Sequence, residues 1–235
     1  DGVDSVGNTG VLSDVMASRI APGEHDEIPI VMPGHNLTWR CEATGPDAEP
    51  LYDSFKEYEV MGDDVYSLMV NLDTIAQDNG FAGADELAGR YDRLKITFGN
   101  YLEPVGVREY EIMRRSRTGV RLAWVNRYGA VDYYTFAVCD SRWLEASKSK
   151  GYFAGGHTVY SSSADGFTAV RSEYEGTYVM KWLSGIVVSP KVWLIDGGSA
   201  IPVDVVTTQV VTDAADPVSL SLVFRKAVRE VFPTF

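Results

Sequence analysis

One stretch of the chain, HTVYSSSADG, collects the residue types of a nucleophilic hydrolase. It contains His157, the serines at 161–163 and Asp165. A catalytic triad needs a serine nucleophile, a histidine base and a carboxylate that orients the histidine, and the fold must bring them together in space. The G-x-S-x-G turn that presents such a serine in α/β-hydrolases does not occur in the sequence. Because the same residue types collect in loops, we interpret the stretch as a polar loop.

Two pairs of glutamates suggest a second chemistry, the hydrolysis of a polysaccharide. Glu57 and Glu59 form one pair, and Glu109 and Glu111 form the other. Glycoside hydrolysis requires two carboxylates that face each other across the scissile bond, roughly 5–10 Å apart. Residues two apart on one strand share a face instead, which is typical of a solvated strand surface. We therefore predict no enzymatic activity.

Metal and cofactor chemistry receives little support from the sequence. His25, His35 and His157 are too scattered for a metal site, and Cys41 and Cys139 form no C-x-x-C pair. The glycine-rich GYFAGGH lacks the G-K-[ST] of a phosphate-binding loop. We expect no metal and no cofactor, and we expect both cysteines to be free thiols that pack as small apolar residues.

The charge of the chain argues against polyanionic partners. It holds 21 Lys and Arg against 33 Asp and Glu, a formal net charge of -12 over 235 residues. A field of that sign repels nucleic acid and anionic membrane, so we expect neither as a partner. No apolar run approaches the ~20 residues of a membrane-spanning helix.

One stretch of the chain is locally basic. It contains six arginines: Arg108, Arg114, Arg115, Arg117, Arg121 and Arg127. Because alternate residues of a strand share a face, Arg115, Arg117 and Arg121 can line one side of a ribbon. They are either a solvated hairpin end that balances acidic neighbours or a docking patch for the acidic face of another copy.

Turn residues and alternating apolar residues predict a mainly β chain in three parts. Residues 1–27 are rich in Gly, Ser and Asp at first and are expected to form a flexible arm. Residues 28–112 are predicted to form an N-terminal β subdomain, and residues 113–235 a C-terminal β subdomain with one helix. In the run IPIVMPG, Pro29 and Pro33 favour an edge strand or a crossover, because proline cannot donate to a β-ladder.

Helical spacing is clearest near the C-terminal third. Ser172 and Glu175 have the spacing of a capping box, and Gly185 is expected to end the helix. The apolar residues that recur at helical spacing are Val179, Trp182, Leu183 and Ile186. GADELAGRYDRL is a shorter helix candidate, weakened by Gly89. We interpret the polar segment 147–166 as a loop or a loosely held hairpin.

The segment LAWVNRYGAVDYYTF, residues 122–136, predicts two strands joined by a turn in which Gly129 takes the left-handed conformation. Apolar residues occupy both faces of both strands, so the hairpin should be covered on both sides. Its rings, Trp124, Tyr128, Tyr133 and Tyr134, are either a sugar-stacking platform or core and subunit-interface residues. We favour the second interpretation, because burial explains apolar residues on both faces.

Part of this hairpin, WVNRYGAVDYYTF, resembles a strand–turn–strand segment of tail-associated structural proteins encoded by prophages of gut anaerobic bacteria. The order that follows is also similar: a helix in EYEGTYVMKWLSGIVVSP, a hairpin in KVWLIDGGSAIPVDVV and a closing alternating strand. A helix followed by such a hairpin is also similar to distal tail proteins. The resemblance covers about residues 120–225 and consists of aromatic and turn residues, so it carries no active site.

The resemblance implies a structural component of a phage or prophage tail or baseplate. Such a protein would assemble with copies of itself, a ring being one expected form, and with other tail proteins. It would be made in the bacterial cytoplasm and end in a virion or tail-like particle. The candidate interface residues are Trp124, Arg127, Tyr128, Tyr133, Tyr134, Arg115 and Arg117.

Two statements complete the expectations from the sequence. The fold class is mainly β and antiparallel, with a sandwich-like architecture, two subdomains and one helix packed on the C-terminal half. The alternative function is a secreted or cell-surface carbohydrate-binding β-sandwich module, which requires exposed aromatic rings.

Overall fold

A computed structural model describes residues 10–15, 17–33, 37–46, 48–52, 56–58, 63–99, 104–114, 119–153, 155–213, 217–227 and 230–232. The chain divides into two compact units. The first comprises Asp1–Arg117 and Asn126–Tyr134, and the second comprises Thr118–Val125 and Thr135–Phe235. The mainly β prediction is confirmed, with a few short helices among the strands. The first unit extends to Arg117, beyond the predicted boundary at residue 112. It also includes Asn126–Tyr134, the turn and part of the second strand of the 122–136 hairpin.

The first unit contains two sheets and two short helices. In chain order its elements are β1 (Gly10–Val11), β2 (Ala17–Ile20), β3 (His25–Pro33), β4 (Leu37–Gly45), β5 (Ala48–Tyr52), β6 (Lys56–Tyr58), β7 (Asp63–Asn71), α1 (Leu72–Asp78), α2 (Ala84–Arg90), β8 (Arg93–Gly99) and β9 (Pro104–Ile112). One sheet has the order β1-β3-β7, and the other has the order β2-β9-β8-β4-β5 with β6 beside β4. β2 is parallel to β9, whereas the neighbouring β8 and β9 are antiparallel.

The two sheets of the first unit bury their side chains in one common core. Ile28 and Leu68 enter it from the first sheet, and Ile96 enters it from the second. Helices α1 and α2 add Leu72 and Leu87 to the same core. This is the arrangement of a β-sandwich, in which two apolar sheet faces cover each other.

The prediction of a flexible arm over residues 1–27 is wrong for the described residues 10–15 and 17–27. Ile20 is completely buried at the end of β2, which lies beside β9. β1 pairs with β3, and Val11 packs against the core from there. A few apolar residues between polar ones are enough to anchor a strand in the core. The composition of the whole segment, which is mostly polar, does not show this.

The prediction that Pro29 marks an edge strand or crossover is also wrong, because β3 lies between β1 and β7. The Pro29 carbonyl accepts a hydrogen bond from the Leu12 amide at 2.9 Å, so it points to the β1 side. In an antiparallel ladder the N–H and C=O of one residue point to the same neighbour. The missing N–H therefore falls beside the short β1, and the ladder with β7 is left intact.

The second unit is built on one sheet with two short helices. The elements that complete the chain are β10 (Val120–Val125), β11 (Val131–Phe136), β12 (Val138–Phe153), β13 (Gly156–Glu175), α3 (Thr177–Leu183), α4 (Gly185–Val188), β14 (Val192–Asp196), β15 (Ser199–Val205), β16 (Val218–Lys226) and β17 (Glu230–Phe232). The sheet order is β11-β10-β14-β15-β16-β13-β12, with β17 beside β13. Within the described residues this unit is a single sheet with helices, so the sandwich-like prediction does not apply to it.

A helix is present where the spacing predicted one, but its predicted N-terminal cap is wrong. Ser172 lies in β13, where its hydroxyl donates to the Glu173 carbonyl at 2.7 Å and accepts from the Leu220 amide at 2.8 Å. It therefore replaces a ladder partner at the irregularity between Arg171 and Tyr174, and it does not cap a helix. α3 ends at Leu183 with Ser184 as its C-cap, just before Gly185 as predicted, and Gly185 begins the separate short helix α4.

Gly185 lies in close contact with the hairpin. A Cβ atom on this residue would lie 3.2 Å from the Trp124 Nε1 atom, which is tighter than ordinary van der Waals contact. The Trp182 ring lies 5.0 Å from the Trp124 ring, centroid to centroid. Glycine at this position therefore lets the helical segment approach the indole of β10.

Candidate interaction surface

The aromatic hairpin is buried along both of its strands, as the sequence predicted. Trp124 is 0% exposed, Tyr134 1% and Tyr133 7%. The chain itself provides this cover, so these three rings are not available to another subunit or to a sugar. Their assignment as interface candidates is therefore wrong.

The hydroxyl groups of the two buried tyrosines are bonded within the first unit. Tyr133 Oη donates to Glu27 Oε1 at 2.9 Å, and the Arg19 Nη1 group donates to Tyr134 Oη at 3.4 Å. A buried tyrosine needs such a partner, because an unbonded hydroxyl in a core is destabilising. The two tyrosine rings are thus packed in the interior, and their hydroxyl groups form hydrogen bonds with Glu27 and Arg19.

The hairpin turn is organised by Asn126. Its side-chain oxygen accepts from the amides of Tyr128 at 2.9 Å and Ala130 at 3.1 Å, and its Nδ2 group donates to the Leu12 carbonyl at 2.8 Å. Gly129 has a φ of 83°, the left-handed conformation that the sequence predicted. One side chain therefore closes the turn and also ties it to the N-terminal segment.

Arg127 and Tyr128 are exposed at this turn, and both bind Asp14. Arg127 Nη2 donates to Asp14 Oδ1 at 2.7 Å, and Tyr128 Oη donates to the same oxygen at 3.0 Å. The hydrogen bond with Tyr128, followed by the charge of Asp14, raises the pKa of Arg127 above its ordinary value. The guanidinium carbon also lies 4.8 Å from the centre of the Tyr128 ring. Both residues are thus engaged within their own unit. Of the four rings in the alternative interpretation as a sugar-stacking platform, Tyr128 alone is exposed.

Of the three arginines that could line one side of a ribbon, the structure describes Arg121, and it is buried. Arg108 is 2% exposed and Arg121 is 5% exposed, and Arg121 Nη1 donates to Thr135 Oγ1 at 2.8 Å. Arg115 and Arg117 lie outside the described residues. Arg121 therefore cannot serve as a docking cation, because its charged group is enclosed.

Three of the residues that suggested hydrolysis, His157, Asp165 and Glu111, have neighbours that account for their placement. His157 meets the Tyr152 ring edge-on at 5.4 Å, and Asp165 lies 3.9 Å from Arg225. Glu111 accepts from the Arg19 Nε group at 2.9 Å. Each of these groups has a structural partner, and Glu59 lies outside the described residues.

Each unit has an open cleft among its described residues. The cleft of the first unit is about 620 Å³ and is bordered by Glu49, Arg90, Asp92 and Arg114. The cleft of the second unit is about 420 Å³, and its border includes Met180. In the part of the chain that the structure describes, no group of three or more His, Cys, Asp or Glu residues could hold a metal ion. None of the described helices is long and apolar enough to cross a membrane.

A long hairpin, which the sequence left open between a loop and a loose hairpin, is the most exposed feature. β12 and β13 pair from Val138↔Arg171 to Phe153↔Gly156. Among the described residues, β17 pairs with β13 at residues 162–164, and β16 pairs with it from Phe167 onward. From Ser149↔Ser161 to the tip, the described residues therefore form a two-stranded ribbon. We call residues 146–164 the β-arm.

The two faces of this hairpin differ in charge. Because alternate residues share a face, Arg142, Lys148 and Lys150 lie on one face of β12, together with Tyr152. The register places Trp143 opposite Phe167 and Glu145 opposite Asp165 on the other face. One face is therefore basic, whereas the other holds two carboxylates and a ring pair.

Large side chains are exposed along the β-arm. Tyr152 is 78% exposed, Tyr160 53% and Val159 41%. A two-stranded hairpin is only marginally stable in water, and tyrosines are enriched where proteins meet. The sequence signal was present in these β-forming residues around the Gly155–Gly156 pair, but the many serines between them obscured it.

Comparison with known proteins gives no relative for this architecture. No family model, curated protein or solved structure matches the chain.

Proposed function

We propose that the chain is a structural component of a phage or prophage tail or baseplate, which assembles with copies of itself and with other tail proteins. The exposed β-arm is the observation that supports the proposal most strongly. The resemblance over residues 120–225 supplies the particle class, and the β-arm supplies a surface through which subunits can join.

The β-arm has the physical properties of an assembly element. Its outer part has no third strand within the described residues, so its ladder gains little support from the sheet. Tyr152 and Tyr160 expose rings whose removal from water would stabilise a complex. A partner would therefore stabilise the ribbon and would bury its rings in the same step.

The buried hairpin has a different part in the proposal. It contributes stability to the subunit and does not form the interface, because the chain already covers its rings. We propose that the protein acts by binding and positioning other subunits and not by catalysis.

A shortened arm tests the proposal. Lys148 and Ser162 are cross-strand partners, so residues 149–161 can be replaced by Asn-Gly, a pair that forms tight hairpin turns. We expect the wild-type mass, measured by light scattering, to rise with concentration, and electron microscopy to show discrete assemblies. The shortened variant should stay monomeric, and its circular dichroism spectrum should lose no more than the β signal of the deleted strand residues.

Matched substitutions separate the arm from general surface effects. Tyr152→Ser/Tyr160→Ser should reduce assembly, whereas Tyr52→Ser/Tyr174→Ser removes two comparably exposed rings elsewhere and should not. A wild-type chain that remains monomeric at high concentration and is absent from purified tail particles would rule out the proposed function.

A further inference from the structure

We propose that the basic face of the β-arm docks onto the acidic helix pair α1–α2 of a second copy of this chain. The inference rests on the proposed function, because it names the partner surface for self-assembly. It commits to a head-to-tail contact, in which a surface of one copy meets a different surface of the next.

The β-arm carries positive charge without compensation. Residues 146–164 contain Lys148 and Lys150 and no Asp or Glu, and Arg142 precedes them on the same strand face. All three side chains are exposed, and none forms an ion pair within the described residues. These cations are therefore free to meet a partner of opposite charge.

The acidic helix pair has the complementary composition. Helices α1 and α2 contain four acidic residues, Asp73, Asp78, Asp85 and Glu86, and one basic residue, Arg90. Asp73 is used inside the unit, where it accepts from the Gly23 amide at 3.2 Å. Asp78 and Asp85 are exposed, and Glu86 is exposed beside its ion-pair partner Arg90 at 2.7 Å. The exposed carboxylates of this surface can therefore form ion pairs with the two lysines of the β-arm.

The charge of the remaining chain favours a second copy over a polyanion. Residues 141–163 hold three of the 21 Lys and Arg and one of the 33 Asp and Glu, so the other residues hold 18 and 32, a formal charge of -14. A nucleic acid that approached the arm would meet this repulsive field. A second copy brings an arm to an acidic surface and an acidic surface to an arm, so each chain supplies both halves of the contact.

Charge reversal with rescue tests the pairing. In sedimentation velocity, Lys148→Glu/Lys150→Glu should weaken self-association about tenfold or more, since attraction becomes repulsion. Asp78→Lys/Asp85→Lys should weaken it similarly, and mixing the two variants should restore association, because each supplies one reversed surface. Lys181→Glu/Lys191→Glu makes the same charge change at two other exposed lysines of the second unit and should leave association unchanged.

The outcomes separate this inference from the proposed function. Association that is weakened by salt, by either reversal and not by the control supports the docking. Assembly that is unaffected by Lys148→Glu/Lys150→Glu overturns the docking, while the proposed function stands. A monomeric purified chain that is nevertheless found in tail particles overturns it in the same way. Arm-dependent binding of DNA without self-association would replace the second copy by a polyanion.

Discussion

Trp143 and Phe167 stack across β12 and β13, with ring centroids 5.2 Å apart and ring planes 11° from parallel. Arg225 lies beside this pair, with its guanidinium carbon 6.0 Å from the centre of the Phe167 ring. The stack occupies the hairpin face opposite Lys148 and Lys150, close to the base of the β-arm. The ring contact therefore joins the two strands near the base of the arm and does not involve the basic face.

Replacement of Trp143 should loosen the β-arm. We expect Trp143→Ala to cost about 0.5–1.5 kcal/mol, the typical contribution of an aromatic pair, and to speed amide exchange at residues 149–161. Hydrogen exchange read by mass spectrometry measures the effect. Leu144→Ala, on the opposite face and 64% exposed, is the control and should change exchange little. Equal exchange in the two variants would show that the stack does not support the arm.

Addition of one methyl group at Gly185 should disturb the helix–hairpin contact. The new Cβ would lie 3.2 Å from Trp124 Nε1, and we expect Gly185→Ala to lower the free energy of unfolding by about 1–3 kcal/mol. Urea denaturation followed by tryptophan fluorescence measures it. Gly176→Ala is the matched control, because that glycine has open space and a φ of -72°. A neutral Gly185→Ala would contradict the close packing.

Loss of the Asn126 side chain should open the turn and release the N-terminal segment. Asn126→Ala removes acceptors from two turn amides and a donor from the Leu12 carbonyl, so we expect a cost of about 1–3 kcal/mol. Asp14→Ala removes only an exposed ion pair and should cost about 0–1 kcal/mol. Thermal unfolding and amide exchange at residues 10–15 distinguish the two. A larger effect of Asp14→Ala would assign the anchoring to the ion pair.

Ser172 should behave as a strand residue and not as a helix cap. Ser172→Ala leaves the Leu220 amide without its partner, and we expect a loss of about 1–3 kcal/mol. Exposed Ser221 provides the control, and Ser221→Ala should be nearly neutral. Amide exchange locates the damage: faster exchange at Leu220 is expected, and faster exchange confined to α3 would support the capping box instead.

The sequence predicts the class of the fold better than it predicts where individual helices and strands begin and end. Alternation along LTWRCEA placed Leu37, Trp39 and Cys41 on one face, and all three are buried. It missed α1, which begins where Asn71 accepts from the Asp73 amide at 2.8 Å, because strand and helix signals merge in VYSLMVNLDTI. A cap residue decides such a boundary through hydrogen bonds that are invisible in an apolar pattern.

The candidate surface was predicted less well, for a related reason. The large rings of the 122–136 hairpin were predicted to form a subunit interface, although rings on both faces of a strand indicate burial. The exposed hairpin was left open between a loop and a loosely held hairpin, because Ser and Gly lower its apparent β character. Its two faces become distinct only when the β12–β13 register is known, and that register depends on pairing between residues far apart along the chain.

The most direct measurement is the solution mass of the wild-type chain by light scattering across a concentration series, beside the variant with Asn-Gly in place of residues 149–161. We expect the wild-type mass to rise toward one closed or extended assembly, and the shortened chain to keep the monomer mass at every concentration. Identical curves for the two proteins would contradict assembly through the β-arm.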